Sequence, residues 1–440
     1  MPPVITPPMT RARAQEIAAQ FDLRALAADF YANPYPVYAA LRETAPLRRM
    51  PDGSVLLTRH ADLVAVYRDA QTFSSDKRVE YAPKYGDSPL FEHHTTSLVF
   101  NDPPLHTRVR KLIMGALTRR AIAELEPGLV TLVDSLLDAI EARGGGDLIE
   151  DFASAIPVEI IGNLLDVPHA DRGPLRAWSL AILGALEPRL TPEQEALGNR
   201  SVQEFLDYLR VLVAERRQRP GNPEHDVLTR LIQGEGKDST DAAGHDRLSE
   251  TELLHNCIFL LNAGHETTTN LIGNALVALQ EWPDQKSSLL LKIEQTMTNP
   301  QAREAVLTLA VDEILRFESS NQLGNRRAVR ATSVGGVALE EGTLITLCIG
   351  AANRDPAQFA QPDVLDLTRG EGPNGLADNR HLAFGFGIHQ CAGLSLARLE
   401  GRIAIGRFLQ RFPDYRLTEP PARGGRARFR GFLQAPFSVR

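Results

Sequence analysis

The stretch from Leu248 to Pro283 restricts the fold more than any other part of the chain. Ser249 and Glu252 have the spacing of a capping box, and Leu248 and Leu253 bracket them as a hydrophobic staple, so a helix starts there. No proline follows until Pro283, directly after Trp282. The spacing therefore predicts one helix of roughly 32 residues, about 48 Å long at about 1.5 Å per residue. Such a rod crosses a whole domain, and the remaining chain must pack around it.

The flanking patterns agree with a largely helical partner set. From Pro104 to about Gln233, apolar residues recur at three- and four-residue spacing, as in AIAELEPGLVTLVDSLLDAIEAR, and the glycines that follow close that segment. Residues 28–72 hold a helical stretch, NPYPVYAALRETA, and then SVLLTRHADLVAVY, which predicts a short strand running into a helix. A further helix is predicted over 303–318. RRAVRATSVGGVALEEGTLITLCIGA shifts to strand patterning, with turns at Gly335-Gly336 and Glu341-Gly342. A Pro/Asp/Gly-rich passage (353–380) precedes a helix over about 392–411 and a short final β region. The expected fold class is mainly α with a smaller β region.

No low-complexity linker divides the 440 residues, so one domain is expected over 26–440, preceded by a disordered segment over 1–25 that opens on MPPVITPPMTRAR. A hydrophobic fraction of 43% against 23% charged residues suits a globular core large enough to hold a cavity. The net charge of −7 excludes a general nucleic-acid binder, because neutralising phosphates needs a basic surface. No stretch approaches about 18 uninterrupted apolar residues, and the N-terminus has no signal-peptide core, so a cytoplasmic, unanchored protein with small-molecule partners is expected. Cys257, Cys348 and Cys391 are too few and too scattered for a disulfide framework, which leaves free or ligating thiols.

Cys391 has distinctive surroundings. In HLAFGFGIHQCAGLSLARLE, Phe384, Gly385, Gly387, His389 and Gly393 place it where a Gly-rich loop meets a helix start. Glycines let the backbone approach a flat cofactor, and N–H groups at a helix start favour a thiolate, lowering the cysteine pKa. A pattern Phe-x-x-Gly-x-His-x-Cys-x-Gly arises by chance in such a chain with a probability on the order of 10⁻⁴. A zinc site at His389 and Cys391 lacks a second ligand pair with the right spacing.

This segment resembles the heme-binding loop of the cytochrome P450 family, and four further segments, in the family's order, extend the resemblance over roughly 100–440. It implies the cytochrome P450 fold, with heme b between the long central helix and the Cys-loop helix, and Cys391 as the axial iron ligand. Phe384, Gly385, Gly393 and His389 belong to the cofactor site by the same resemblance. LLNAGHETTTN is similar to the family's oxygen-activating turn: Ala263 and Gly264 leave room beside the iron, while Glu266 and Thr267 handle protons at the oxygen. His106 and Arg110, four apart in NDPPLHTRVRKLI, together with Arg326 and His389, correspond to partners of the heme propionates; Arg327 beside Arg326 leaves that register open by one. Glu313 and Arg316, with Arg369, resemble the family's buried structural Glu-x-x-Arg set.

The implied activity is insertion of one oxygen atom of O2 into a C–H bond of a small, largely apolar substrate, by hydroxylation or oxidative demethylation. No dinucleotide-binding motif appears, so electrons are expected from a separate ferredoxin and its reductase. Arg108, Lys111, Arg119, Arg120, Arg398 and Arg402 are expected to form a basic docking patch for that partner. By position, the substrate pocket should take in the loop before Asn101, helices around 170–190, Phe259, Asn262, Gln322, Leu323 and Phe432. Asn262 departs from the family's usual apolar residue, and with Gln322 it is expected to read a polar group on the substrate. A peroxide-driven oxygenase and a non-catalytic heme protein are the alternatives; the Glu266/Thr267 pair speaks against the first.

Overall fold

The long rod is present in the computed structural model, which describes residues 9–223, 226–233, 248–371 and 379–439. Glu250–Glu281 is one unbroken helix of 32 residues. The Ser249 hydroxyl accepts from the Glu252 N–H at 3.1 Å and the Glu252 carboxylate accepts from the Ser249 N–H at 2.8 Å, satisfying two donors that a helix start leaves open. It stops at Trp282 because Pro283 begins the next helix, Pro283–Gln295. Side chains on every face of its second half are buried, as expected of a helix at the centre of a core rather than on its surface.

Helices surround it. Ala155–Leu164, Leu175–Gly184, Pro192–Gln218, Pro300–Phe317 and the cysteine helix Leu394–Arg411 all pack against it. The cysteine helix comes close because Gly401 faces Leu271 and Val311; a Cβ on Gly401 would already lie 3.1 Å from Leu271. The Tyr415 hydroxyl then donates to the Leu276 carbonyl at 2.6 Å, tying the chain after the cysteine helix back to the rod.

The β part is a five-stranded sheet in the order Leu47–Arg49, Val55–Leu57, Leu344–Cys348, Leu323–Ala328, Phe73–Ser74. Its central pairings are parallel (Val55 opposite Ile345) and antiparallel (Arg326 opposite Ile345). Gly335 and Gly336, with φ of 56° and 79°, turn the hairpin between Thr332–Val334 and Val337–Leu339, the left-handed pair that a two-residue turn requires.

One expectation needs correction. The segment to residue 25 is not all disordered: Arg11–Gln20 is a helix, capped by the Thr10 hydroxyl, and Ala14 and Ala18 are buried as it packs against the Tyr35–Thr44 helix. The prolines that suggested disorder lie before it, and residues 1–8 fall outside the described part.

Beneath the cysteine loop is a buried ionic knot. Glu313 takes Arg316 in a two-pronged bond, 2.7 Å at each oxygen, and also accepts from Arg369 Nε and the Asp366 N–H at 3.0 Å. Both Glu313 and Arg316 have 0% side-chain exposure, so every lone pair and proton must find a partner inside the protein. Arg316 donates further to the carbonyls of Asn353 and Pro362, which brings the knot to the loop.

Candidate active site

A large cavity is bounded by the long helix on one wall and the cysteine loop on another. Ala263, Gly264, Thr267 and Leu271 come from the first, and Phe384, Gly385, His389, Cys391 and Gly393 from the second. The loop is held by the ionic knot in short steps. Asn353, whose carbonyl takes Arg316, accepts from the Leu382 N–H at 2.7 Å through its side chain. The Leu382 carbonyl takes the Gly385 N–H, and the Cys391 N–H closes the loop on the Phe384 carbonyl at 2.8 Å. At Gly387 φ is 73°, and an added Cβ would lie 2.3 Å from the Tyr67 carbonyl oxygen, so only glycine serves there.

The helix start does not by itself lower the Cys391 pKa. Burial pushes the thiol above its ordinary value, while a Gly393 backbone hydrogen bond and the Arg110 and Arg398 charges pull the other way. The expectation of a preformed thiolate is thus corrected: desolvation outweighs the loop's favourable dipoles, and full deprotonation awaits a bound metal.

Another end of the cavity is cationic. Arg110, Arg326 and His389 line it, and the His106 ring lies 4.2 Å from that of His389. Arg326 is only 8% exposed and sits over the Tyr67 ring, yet among the described residues no carboxylate forms an ion pair with it or with Arg110. Arg326 faces the cavity, and Arg327 is not among its lining residues. His389 Nε2 is buried without a partner, and burial together with the Arg326, His106 and Arg110 charges depresses its pKa to about 2. Buried Arg326 and half-buried Arg110, without a carboxylate partner and beside a neutral His389, suit an anionic guest.

On the long helix, Thr267 Oγ1 donates to the Ala263 carbonyl at 2.8 Å, and Thr268, the next residue of the same turn, also lines the cavity. Glu266 is turned away from this wall, buried at 5% exposure, and ion-paired with Arg426. Burial raises its pKa to about 7 although Arg426 opposes the shift. Arg426 was missed, and its only signal was the arginine-rich run RGGRARFR near the C-terminus.

Of the expected substrate contacts, Phe259, Asn262 and Leu323 line the cavity, as do Leu98 and Phe100 before Asn101 and Leu183 and Leu186 beyond 170. Gln322 and Phe432 do not, which corrects both assignments. Gln322 lies one residue off the inward-facing Leu323, donates to the Ser319 carbonyl at 2.7 Å and packs against Gly350. Phe432 is buried against Arg423, and Phe429, one turn earlier in the chain, takes the cavity position. His94 and Arg428 are further lining residues that the sequence did not reveal.

The family model described as Cytochrome P450 matches residues 183–423. Among relatives, "Biotin biosynthesis cytochrome P450" of Bacillus subtilis is 34% identical over 399 residues, covering 89% of this chain and 92% of that protein. "Cytochrome P450 107B1" of Saccharopolyspora erythraea is 36% identical over 413 residues, covering 91% and 93%. This chain belongs to the cytochrome P450 family. Its fold is the P450 fold: the structure of P450BioI with an acyl carrier protein bearing hexadec-9Z-enoic acid superposes with a TM-score of 0.82 at 32% identity, over 94% of this chain and all (100%) of that one. Epothilone D-bound P450epoK gives 0.80 at 32% identity, over 96% and 99%.

The protein is therefore a P450 monooxygenase, an oxidoreductase of the EC 1.14 class, with heme b as its cofactor. The cavity fits that cofactor on its own evidence: a free cysteine on one wall, a glycine-lined approach and, where two propionates would lie, cations with no carboxylate partner among the described residues.

The basic docking patch expected behind the sulfur is thinner than the sequence suggested. Arg108 pairs with Glu252, Arg120 with Glu124, Arg398 with Asp312 at 2.8 Å, and Arg402 with Glu304 and Glu126. Carboxylates from neighbouring helices, and for Arg120 from its own, neutralise them, while Lys111 and Arg119 are exposed. Arg398 instead serves the site: it lies 5.1 Å from the Phe384 ring centre and shares Asp312 with His381. Among the described residues, no helix is long and apolar enough to cross a membrane.

Proposed function

We propose that this P450 inserts one oxygen atom of O2 into a C–H bond of a small, largely apolar substrate, with electrons from a ferredoxin and its reductase. The observation that carries the reading is one cavity bounded by Cys391 and by the Gly264–Thr267 turn, opening onto apolar side chains such as Leu98, Leu183, Phe259 and Phe429. Heme, when bound, supplies the oxygen-activating chemistry. Cys391 would bind its iron through sulfur, and Arg110, Arg326, His389 and the adjacent His106 would hold its propionates. Thr267 presents its hydroxyl to the reacting oxygen, and Glu266, poised near neutrality, passes protons inward from the Arg426 side. The apolar residues orient substrate and exclude water. Asn262 is a polar contact to it, without the help expected from Gln322. Lys111 and Arg119 offer a ferredoxin a small cationic footing, and a cytoplasmic setting suits such a partner.

Substrate names of the relatives favour lipophilic molecules: one relative is a "Vitamin D(3) 25-hydroxylase", and a solved neighbour holds epothilone D. The test is the reduced carbon-monoxide difference spectrum of wild type beside Cys391→Ser. A Soret band that moves in the variant is expected; an unchanged one refutes the thiolate. NADPH consumption with a ferredoxin system, with and without added ligands, separates monooxygenation from peroxide use.

A further inference from the structure

Asn262 and His94, on the substrate part of the wall, are buried without any partner, as is the Ser320 hydroxyl. Asn262, on the long helix, is 2% exposed, and neither its Oδ1 nor its Nδ2 is hydrogen-bonded. His94, on the Pro89–Thr96 helix, is 1% exposed, and neither ring nitrogen is hydrogen-bonded. Both line the cavity. Groups of this kind carry a standing desolvation cost that a ligand able to bond them removes.

Their positions are separated along the rod. The His94-bearing helix packs near the start of the long helix: the neighbouring His93 ring lies 5.6 Å from that of His255, and the Leu98 N–H bonds Asn256 Oδ1 at 2.9 Å. From His255 to Asn262 is about 10 Å of helix, and from Asn262 to Thr267 a further 7 Å or so. Asn262 is thus the nearer and His94 the farther contact from the oxygen-handling turn.

The two side chains themselves are uncharged. Rings of Tyr81, Tyr85 and Phe100 surround His94, and burial with the Lys84 and Arg428 charges holds its pKa near 3, so it is a neutral donor and acceptor. Arg428 spends its guanidinium on the Leu186 and Leu323 carbonyls and on Asn325 Oδ1. Arg110 and Arg326, which have no carboxylate partner among the described residues, lie at the propionate end. A carboxylate placed beside Asn262 and His94 would lose its water, and Arg428, the lining cation nearby, already donates from each guanidinium nitrogen to a protein oxygen.

We propose that the cavity takes a neutral, otherwise apolar ligand with hydrogen-bonding oxygens at two separated places, one bonded by Asn262 and a more distant one by His94. This rests on the monooxygenase reading and names its substrate class; it makes His94 a specificity-determining residue.

Calorimetric titration of the heme-loaded protein at neutral pH tests it with methyl 12-hydroxydodecanoate, the matching 12-hydroxydodecanoate anion and methyl dodecanoate. The hydroxy ester should bind about tenfold tighter than either of the others. His94→Phe and Asn262→Leu should each erase about tenfold of that affinity, and His94→Gln, which keeps a donor and an acceptor, should restore most of it. Binding of 1-phenylimidazole should stay constant, showing that the variants are folded. Absence of hydroxy-ester binding, equal binding of the anion, or unaltered affinity in the two variants overturns the proposal. The carbon-monoxide spectrum of the same samples is an independent reading: if it is normal, such a failure removes the ligand class and leaves the monooxygenase assignment in place.

Discussion

Glu266 shows how much a single residue's behaviour depends on what faces it. Its neighbours in sequence suggest a solvated helical acid, yet burial lifts its pKa to about 7 and Arg426 is its one ion-pair partner among the described residues. A carboxyl with a raised pKa keeps its proton to higher pH, so it supplies protons below about 7 and loses that capacity as the pH climbs through it. Coupled product formation should therefore fall on the alkaline side in the wild type. Glu266→Gln should lack that limb and turn over roughly 10²-fold more slowly, measured as product per NADPH against pH. Glu400, on the cysteine helix, is a second such group: it is 2% exposed, no charged partner opposes its burial, and its pKa rises to about 8. Because the folded-state pKa exceeds the unfolded one, the stabilisation is present below about pH 4.5 and is lost as pH rises through about 8. Thermal unfolding of the heme-loaded protein should show a falling Tm across that window, and Glu400→Gln should flatten it; an equally steep fall in the variant would show that another group titrates.

Among the elements, the long helix is the one whose beginning, end and length follow from local chemistry. Ser249→Ala removes one half of the capping box and should lower stability by about 1 kcal/mol, read from denaturant midpoints with an unchanged slope. The sheet is less local. Leu323–Ala328 has its place set by pairing with Leu344–Cys348, which brings Leu323 and Arg326 to the cavity, while Gln322, before the strand, turns to the Ser319 carbonyl. Alternation in the sequence shows that neighbours diverge, but does not say which of them faces in.

For the whole molecule, the knot of Glu313, Arg316 and Arg369 links the helix Pro300–Phe317 to the cysteine loop through Asn353. Arg316→Leu leaves a fully buried carboxylate without its two-pronged partner and should cost about 3–5 kcal/mol. The loop would loosen with it, so the variant should retain heme poorly, seen as a reduced Soret-to-protein absorbance ratio after purification. A variant with normal heme content and stability would mean that Arg369 alone suffices.

The mainly helical class, the long rod and the cysteine loop were legible because short-range rules write them: capping, proline termination, glycine spacing and a motif too specific for chance. The same holds for Glu313 with Arg316, one turn apart, once the loop named the fold. Arg426, His94 and Phe429 were not legible, since each reaches the site from an element distant in the chain. Nor was the fate of the basic patch, because the carboxylates that neutralise Arg108 and Arg402 come from other helices. Sequence determined the cofactor-binding frame, because each of its widely spaced pieces is written in a short local motif. Only tertiary packing decided the substrate wall and the pKa values, because burial and distant charges set both.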